Sequence, residues 1–491
     1  MIIQLLGHDF HFELQNICRL FLPQEKLTAV YDETETDGEA VVTARLEKGT
    51  AETILSCRLH LQDFDEQLTA TLSNAHRDYR DECELILCEL LYRLLSRAFS
   101  VTQAWGLVTG VRPVKLLRRL MAEQGEDEAL RWMRERLLVS EKKLTLCYDT
   151  LQVENRLLDL SQPESFSLYV SIPFCPTRCD YCSFVSQTVT RAASLMPTYT
   201  ENLAKELIYT AAIAKELGLK LETVYFGGGT PTTLSAEQLQ FLAETIAQHF
   251  DLSTVREYTV EAGRPDTVTA EKLRVLKAAG VSRISINPQT LNDGVLQHIG
   301  RQHTVEQFYE AFDLARRCGH TNINTDLIAG LPNDTYDSFV STMDGILALS
   351  PESVTVHTLS MKRAANFNLQ KRADYRTAND AARMVAYSTE SLPQAGYHPY
   401  YLYRQSRTVG NQENVGWAKE GKDGLYNVYI MDETHTILAC GAGAVSKLKK
   451  PHSEYLERIF NYKFPYEYNH GLQEMLRRKD TVRTFYERIK T

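Results

Sequence analysis

Residues Leu168 to Ser186 read LYVSIPFCPTRCDYCSFVS, and the fold follows from how this stretch is read. Leu168, Val170 and Ile172 alternate with Tyr169 and Ser171, which predicts a short β-strand. The strand runs into a loop carrying Cys175, Cys179 and Cys182 in the spacing CxxxCxxC. Three thiolates on one short loop can hold three irons of a cubane cluster and leave the fourth open to a small molecule. A structural zinc knuckle competes with this reading. Zinc in a closed site wants four ligands, however, and no His or fourth Cys follows within reach.

Beyond this stretch, apolar runs of strand length (LYVSI, TVYFG, EYTVEAG, SRISINPQ, NINTDLIAG, SVTVHTL) alternate with helical segments. That pattern predicts a parallel sheet covered by helices. Ser235 with Gln238 and Thr304 with Gln307 have capping-box spacing, and Gly218, Gly280, Gly319 and Gly396 stand where helices should stop. Leu239, Leu242, Ile246 and Phe250 form a helical stripe that reads as core. Six such units are too few to close an eight-unit barrel. In barrels of parallel strands the working residues lie at the C-terminal strand ends. The polar residues that stand out here fall at those ends: the cysteine loop, Gly227 to Thr230, Glu261, Gln289, Asp326 and His357.

CxxxCxxC after a strand, with Tyr181 just before the last cysteine and a later GGGTP (Gly227 to Pro231), resembles the radical S-adenosylmethionine (SAM) superfamily. Within it, YVSIPFC and YFGGGTPT resemble the oxygen-independent coproporphyrinogen III oxidase (HemN-like) family, over about Phe166 to Leu448. The resemblance implies an α/β fold, a partial, open (βα)6 barrel. It also implies a [4Fe-4S] cluster held by the three cysteines, with SAM chelated to the open iron and cleaved by one electron to a 5'-deoxyadenosyl radical. Gly228, Gly229 and Thr230 would contact the methionine end of SAM. Glu261, Tyr169 and Tyr181 are further implied SAM contacts. Gln289, Arg301, Asp326 and Ser360 stand where the family places contacts to a second SAM, so one or two SAM molecules are expected. Val445, in GAGAVS (Gly441 to Ser446), would be an apolar SAM contact.

Each of these residues has a plainer reading. GGGTP is formally a phosphate loop, but the Lys-Ser/Thr of that motif is missing. Tyr169 could simply cover the barrel end, and Glu261 could pair with Arg264. Asp326 could cap a helix or end a strand in a salt bridge, and Arg301 could sit on a surface helix.

The 491 residues, 43% hydrophobic and 24% charged, suit several ordinary globular domains. The expected organisation is an α+β N-terminal domain of unassigned role over 1–160, a radical SAM core over 161–396, and a small C-terminal extension over 397–491 closing the SAM and substrate site. Residues 1 to about 100 show short alternating runs, read as antiparallel strands, then a helix from Tyr79 to Phe99. In WGLVTGVRPVKLLRRL (Trp105 to Leu120), Arg112, Lys115, Arg118 and Arg119 crowd a helix start. That cluster is either a carboxylate site or a solvated basic face. An N-terminal extension of this kind is similar to that of the HemZ-type branch of the family. The other seven cysteines are scattered and read as buried thiols in a reducing compartment.

A net charge of -9 argues against nucleic acid as a partner. No apolar run approaches the roughly 18 residues of a membrane span. The start MIIQLLGHDF lacks a basic region before its apolar residues, so a cytoplasmic protein is expected. A monomer is expected as well.

In the C-terminal part, LYNVYIM and HTILACGAGAVS read as a hairpin-like pair. Tyr400, Tyr401, Tyr403 and Trp417 offer flat surface for a macrocycle or for ordinary packing, and Arg404 and Arg407 could meet propionates. The implied partners are a tetrapyrrole substrate and an electron donor such as flavodoxin or ferredoxin. The family reading points to decarboxylation of coproporphyrinogen III to protoporphyrinogen IX. Radical haem breakdown or alkylation is an alternative, and a haem chaperone is another. NQENVGW (Asn411 to Trp417) has no histidine where chaperone-type relatives have a His-Asn pair.

Overall fold

The computed structural model describes residues 1–23, 25–32, 40–184, 186–360, 375–405 and 407–490. Two compact units divide the chain, Met1–Tyr148 and Asp149–Thr491. The first holds β1 (Ile2–Leu6), α1 (His11–Phe21), β2 (Thr28–Val30), β3 (Val41–Lys48), β4 (Glu52–Leu61), β5 (Phe64–Ser73), α2 (Tyr79–Phe99), α3 (Pro113–Gln124) and α4 (Glu126–Glu135). It also takes in the start of α5 (Glu141–Leu158). Its sheet runs β2-β1-β3-β4-β5. Leu14, Ile17, Leu87 and Leu91 of α1 and α2 pack on Ile3, Val42, Leu55 and Leu59. The sheet is antiparallel from β3 to β5, as the alternation predicts, but β1 pairs parallel with both β2 and β3. The difference arises at α1, which carries the chain over the sheet between β1 and β2, as parallel neighbours require.

Among the described residues, the second unit is built on a wound sheet of eleven strands, with β7 and β8 pairing apart from it. In chain order it comprises β6 (Ser165–Ile172), β7 (Phe174–Cys175), β8 (Gln187–Thr188), α6 (Val189–Ala192), α7 (Met196–Glu216), β9 (Lys220–Gly228), α8 (Ala236–His249), β10 (Glu257–Glu261) and α9 (Ala270–Ala278). There follow β11 (Arg283–Ser285), α10 (Asp293–His298), α11 (Val305–Arg317), β12 (Ile323–Ala329), α12 (Tyr336–Leu349), β13 (Ser353–Thr358), α13 (Tyr375–Gln394), β14 (His398–Tyr403) and β15 (Asn414–Ala418). The chain ends with α14 (Leu425–Asp432), β16 (Thr436–Cys440), β17 (Val445–Lys449), β18 (Leu456–Phe460), α15 (Pro465–His470), α16 (Leu472–Lys479) and α17 (Thr481–Lys490).

The sheet order is β14-β15-β13-β12-β11-β10-β9-β6-β16-β17-β18. The six strands from β6 to β13 in this order run parallel and alternate with helices, giving the open (βα)6 arrangement. Residues from each of them face one cavity. β16 adds a parallel strand beside β6, and antiparallel pairs flank both edges. Both capping boxes form with both of their hydrogen bonds, at Ser235 with Gln238 and at Thr304 with Gln307. LYNVYIM is the helix α14 rather than a hairpin strand. The Glu257 carboxylate accepts from the main-chain N–H groups of Leu425 and Tyr426, at 2.8 and 3.2 Å, and so caps the helix from a distant strand. This tertiary cap, with burial of Leu425, Tyr426, Val428 and Tyr429, overrides the strand preference of Tyr and Val. Among the described residues no helix is long and apolar enough to cross a membrane.

Candidate active site

The C-terminal ends of β6 to β13 surround a cavity of about 600 Å³, within the range usual for small-molecule sites. β6 delivers the cysteine loop to its rim. The short pairing of Phe174 with Gln187 and Cys175 with Thr188 closes the base of that loop. The Asp180 N–H donates to the Ile299 carbonyl at 3.1 Å, and the Thr177 hydroxyl to the Gly300 carbonyl at 3.1 Å, tying the loop to the end of α10. Cys175, Cys179 and Cys182 all line the cavity, and none of the ten cysteines is bridged. Thr230 Oγ1 donates to Cys175 Sγ at 3.5 Å. Burial pushes the Cys182 thiol up to about 11 and raises that of Cys175.

Thiols held this way ligate only when a bound cation stabilises the thiolate. Among the described residues no three His, Cys, Asp or Glu side chains converge on a point, as a single metal ion requires. Three thiols spread around one rim suit a cluster in which each takes its own iron. Arg264 adds positive charge beside them, with Nη1 donating to Thr177 Oγ1 at 3.0 Å and lying 3.9 Å from Cys179 Sγ. Its orientation is fixed by a two-pronged pair with Asp266 at 3.0 and 2.9 Å. Arg264 therefore does not serve Glu261, contrary to the pairing the sequence allowed.

The glycine loop is fastened to the cysteine strand. Gly229 N–H donates to the Ile172 carbonyl at 2.8 Å and Thr230 N–H to the Phe174 carbonyl at 2.7 Å. A Cβ on Gly229 would come within 2.5 Å of the Phe174 oxygen, so the close approach here is between two protein segments. Gly228 and Thr230 line the cavity beside it. Tyr169, Tyr225 and Tyr426 cluster with near-parallel rings, their centroids 6.2 Å (Tyr169–Tyr225), 6.0 Å (Tyr169–Tyr426) and 4.3 Å (Tyr225–Tyr426) apart, and form an aromatic wall. Glu261 accepts from the Tyr225 hydroxyl at 2.5 Å. Burial pushes its carboxyl up to about 7; the Tyr225 bond opposes this and the nearby Asp326 charge reinforces it.

Arg301 is buried, not a residue of a surface helix. It donates to Tyr181 Oη at 2.9 Å and to the carbonyls of Gly263 and Asn287 at 2.9 and 2.6 Å. Asp326 caps no helix. It accepts from Asn287 Nδ2 at 2.8 Å and Asn324 Nδ2 at 2.7 Å, and lies 3.9 Å from His357 Nε2. Burial pushes its carboxyl up, but His357, Asn324 and Thr355 together hold it below the usual range. Gln289 has φ of +70° and lines the cavity, and its Oε1 is buried with no hydrogen-bond partner among the described residues. Ser360 bridges to Thr408, and Val445 opens β17; both line the cavity.

All fourteen residues singled out from the sequence thus border one cavity, although they span Tyr169 to Val445. The C-terminal candidates separate. Tyr401 and Tyr403 line the wall with His357 and Gln405, and Tyr403 Oη lies 3.3 Å from His357 Nδ1. Tyr400 and Trp417 are buried outside the lining, Arg404 is buried against the Asn411 carbonyl, and Arg407 is exposed away from the cavity. Sequence reasoning missed Arg283 and Asn287. Arg283 is a fully buried cation in the cavity wall, donating to Asn324, Tyr400 and the Lys422 carbonyl. Its place in the strand RIS, with apolar neighbours, was the available signal, since a charged residue inside a buried strand needs a partner.

The Radical SAM superfamily model matches residues 169–346. The oxygen-independent coproporphyrinogen-III oxidase-like protein HemZ of Bacillus subtilis is 35% identical over 94% of this chain and 93% of its own length. The heme chaperone HemW of the same organism is 32% identical over 62% of this chain and 78% of its own. Among solved structures, coproporphyrinogen III oxidase (HemN) from Escherichia coli superposes with a TM-score of 0.51 at 22% identity, covering 66% of this chain and 73% of that one. That likeness bears on the fold.

Proposed function

This chain belongs to the HemN-like family of the radical SAM superfamily, and from that premise we propose that it decarboxylates a tetrapyrrole by radical chemistry. The specific reading is oxygen-independent conversion of coproporphyrinogen III to protoporphyrinogen IX. The observation that carries it is that the three cysteines, the Gly228 to Thr230 turn and the polar strand ends border a single cavity. In this reading Cys175, Cys179 and Cys182 would hold the [4Fe-4S] cluster that the family uses. Gly228, Gly229 and Thr230 would meet the methionine end of SAM. Glu261, Gln289, Asp326 and Ser360 offer polar partners, while Tyr169, Tyr181, Arg301 and Val445 shape the walls. When bound, these cofactors supply a one-electron cleavage that makes hydrogen abstraction from an unactivated carbon feasible.

The chain's own residues orient the substrate and exclude water. Tyr401, Tyr403, His357 and Gln405 form the wall left for the macrocycle, which would present a propionate β-carbon toward the cysteine rim. Loss of that hydrogen and of carbon dioxide leaves one electron to pass to an external one-electron acceptor. A small reductant protein such as a flavodoxin or ferredoxin would supply the initiating electron.

A second reading, a haem carrier, draws support from the relative named as a haem chaperone. Against it, Gln412, Glu413 and Asn414 are buried and no histidine stands between Asn411 and Trp417. The deciding experiment is anaerobic. The reconstituted protein is given dithionite, SAM and coproporphyrinogen III, and 5'-deoxyadenosine and porphyrin products are followed by mass spectrometry. Substrate-dependent deoxyadenosine with products lighter by the elements of formic acid supports the decarboxylase. Deoxyadenosine without such products points to another tetrapyrrole, and stoichiometric haem binding without deoxyadenosine to the carrier.

A further inference from the structure

The turn Gly441–Val445 joins β16 to β17, and two of its residues, Gly443 and Val445, line the cavity. Its sequence up to Val445 is Gly-Ala-Gly-Ala, which has no side chain long enough to anchor it. The anchors come from elsewhere. Glu206 on α7 and Lys479 on α16 are both fully buried, and Lys479 Nζ lies 3.2 Å from Glu206 Oε1. Glu206 Oε2 accepts from the Gly441 N–H at 2.8 Å and from the Tyr468 hydroxyl at 2.5 Å. Asn461 Nδ2 donates both to Glu206 Oε1 at 2.7 Å and to the Gly441 carbonyl at 2.9 Å. Lys479 also donates to the Ala439 carbonyl and to Ser446 Oγ, on either side of the turn.

The next residue is clasped from the cysteine strand. Tyr199 Oη accepts from the Ala442 N–H at 2.9 Å and donates to the Ser171 carbonyl at 2.8 Å, while Ser171 Oγ donates to the Ala442 carbonyl at 2.8 Å. Gly441 has φ of +100°, and a Cβ there would lie 2.6 Å from both Ser171 O and Tyr199 Oη. The turn is therefore seated at one depth against β6, four residues before Cys175.

A buried ion pair gives little net stability compared with apolar packing of the same volume, because both charges must be stripped of water. Its distinguishing property is directional. The fully hydrogen-bonded carboxylate accepts only donors placed at fixed angles, and here one of them is the main chain of the cavity wall.

We propose that Lys479 and Glu206 are positioning residues: the buried pair fixes the Gly441–Val445 turn at the depth at which Gly443 and Val445 meet SAM. The C-terminal helices thereby become part of the cofactor site without touching the cofactor. This rests on the reading of the cavity as the SAM site, and the test separates the two. Lys479→Met and the charge-free double variant Lys479→Met with Glu206→Gln are purified and reconstituted anaerobically. SAM affinity is measured by equilibrium dialysis, iron content by chelator assay, and main-chain hydrogen exchange by mass spectrometry.

The expected result for Lys479→Met is a rise in the SAM dissociation constant of about tenfold at unchanged iron content, with faster exchange confined to residues 440–446. The double variant leaves no unmatched charge and carries the test if the single variant does not fold; it is expected to lose about threefold. SAM affinity within twofold of wild type in the folded variant overturns the proposal, as does exchange accelerated equally through β12. A wild-type protein that binds no SAM would instead overturn the assignment of the cavity.

Discussion

The Arg301 guanidinium donates to the Tyr181 hydroxyl over 2.9 Å, linking the segment after α10 to the interior of the cysteine loop. Because the same guanidinium also holds the Gly263 and Asn287 carbonyls, one side chain ties together the loop and the ends of β10 and β11. Tyr181→Phe removes one hydrogen bond and should lower stability by about 0.5–1.5 kcal/mol. Arg301→Lys cannot reproduce the fork and should cost about 1–3 kcal/mol. Urea unfolding monitored by circular dichroism measures both, and equal effects would mean that the fork is not what holds the loop.

Glu261 gives a pH signature. Its carboxyl is raised from an ordinary value of 4.5 to about 7, chiefly by burial, so the folded protein binds more protons than the unfolded chain between those values. Stability from this group is therefore full below about 4.5, falls as pH rises toward 7, and is level above. Glu261 borders the cavity and keeps some exposure, so solvent moderates the effect. Glu261→Gln should remove that slope and raise stability at pH 8 by on the order of 2 kcal/mol. A parallel pH profile in the variant would show that the carboxyl is not titrating there.

Asp326 should behave in the opposite sense. Its carboxyl is held below the usual range despite burial, so its contribution is present above the unfolded value and is lost as pH falls through the folded one. Asp326→Asn leaves the Asn287 and Asn324 amides facing an amide in place of a carboxylate. The expected loss is about 1–3 kcal/mol at pH 7. The gap from wild type should narrow below about pH 4, and chemical denaturation at stepped pH reads it.

Single substitution of Cys175, Cys179 or Cys182 by Ala should abolish retention of a full cluster, while Cys318→Ala leaves it intact. Iron and sulfide analysis with absorption spectroscopy after anaerobic reconstitution distinguishes them. Full iron loading in any of the three rim variants would remove that cysteine from the ligand set.

Gly229→Ala places a Cβ within 2.5 Å of the Phe174 oxygen. The loop must separate from the cysteine strand to admit it, with an expected loss of at least ~1 kcal/mol and weaker SAM binding at unchanged secondary structure. Thermal unfolding and dialysis measure the two effects. An unperturbed variant would show that the loop packs less tightly than this distance implies.

What the sequence made legible was local in the chain. The strand before the cysteines, the cysteine spacing and the two capping boxes each involve residues within a few positions, so pattern alone finds them. α14 was misread because its cap, Glu257, comes from a strand far earlier in the chain, and Tyr and Val in isolation favour a strand. The alternative pairing of Glu261 with Arg264 does not form because Asp266, two residues on, takes both prongs of the guanidinium. Arg301 looks like an ordinary surface cation in sequence, and Arg283 shows no more than a charge inside a strand. Only the meeting of distant segments supplies the carbonyls and hydroxyls that let them be buried. Arg404 and Arg407 show the reverse, since proximity to a tyrosine-rich run did not bring them to the cavity.

β6, the strand that presents the cysteine loop, has β9 on one side and β16 on the other, with Phe166 opposite Thr436. During synthesis β9 emerges soon after β6, but β16 follows only after β10 to β15. Until then the strand bearing the ligand loop is an open edge, with its unpaired main chain available to other strands. The edge of the strand that presents the cysteines is therefore covered only once β16 has been made. A chain interrupted before β16 would leave that strand with β9 as its one neighbour and its other edge open to association.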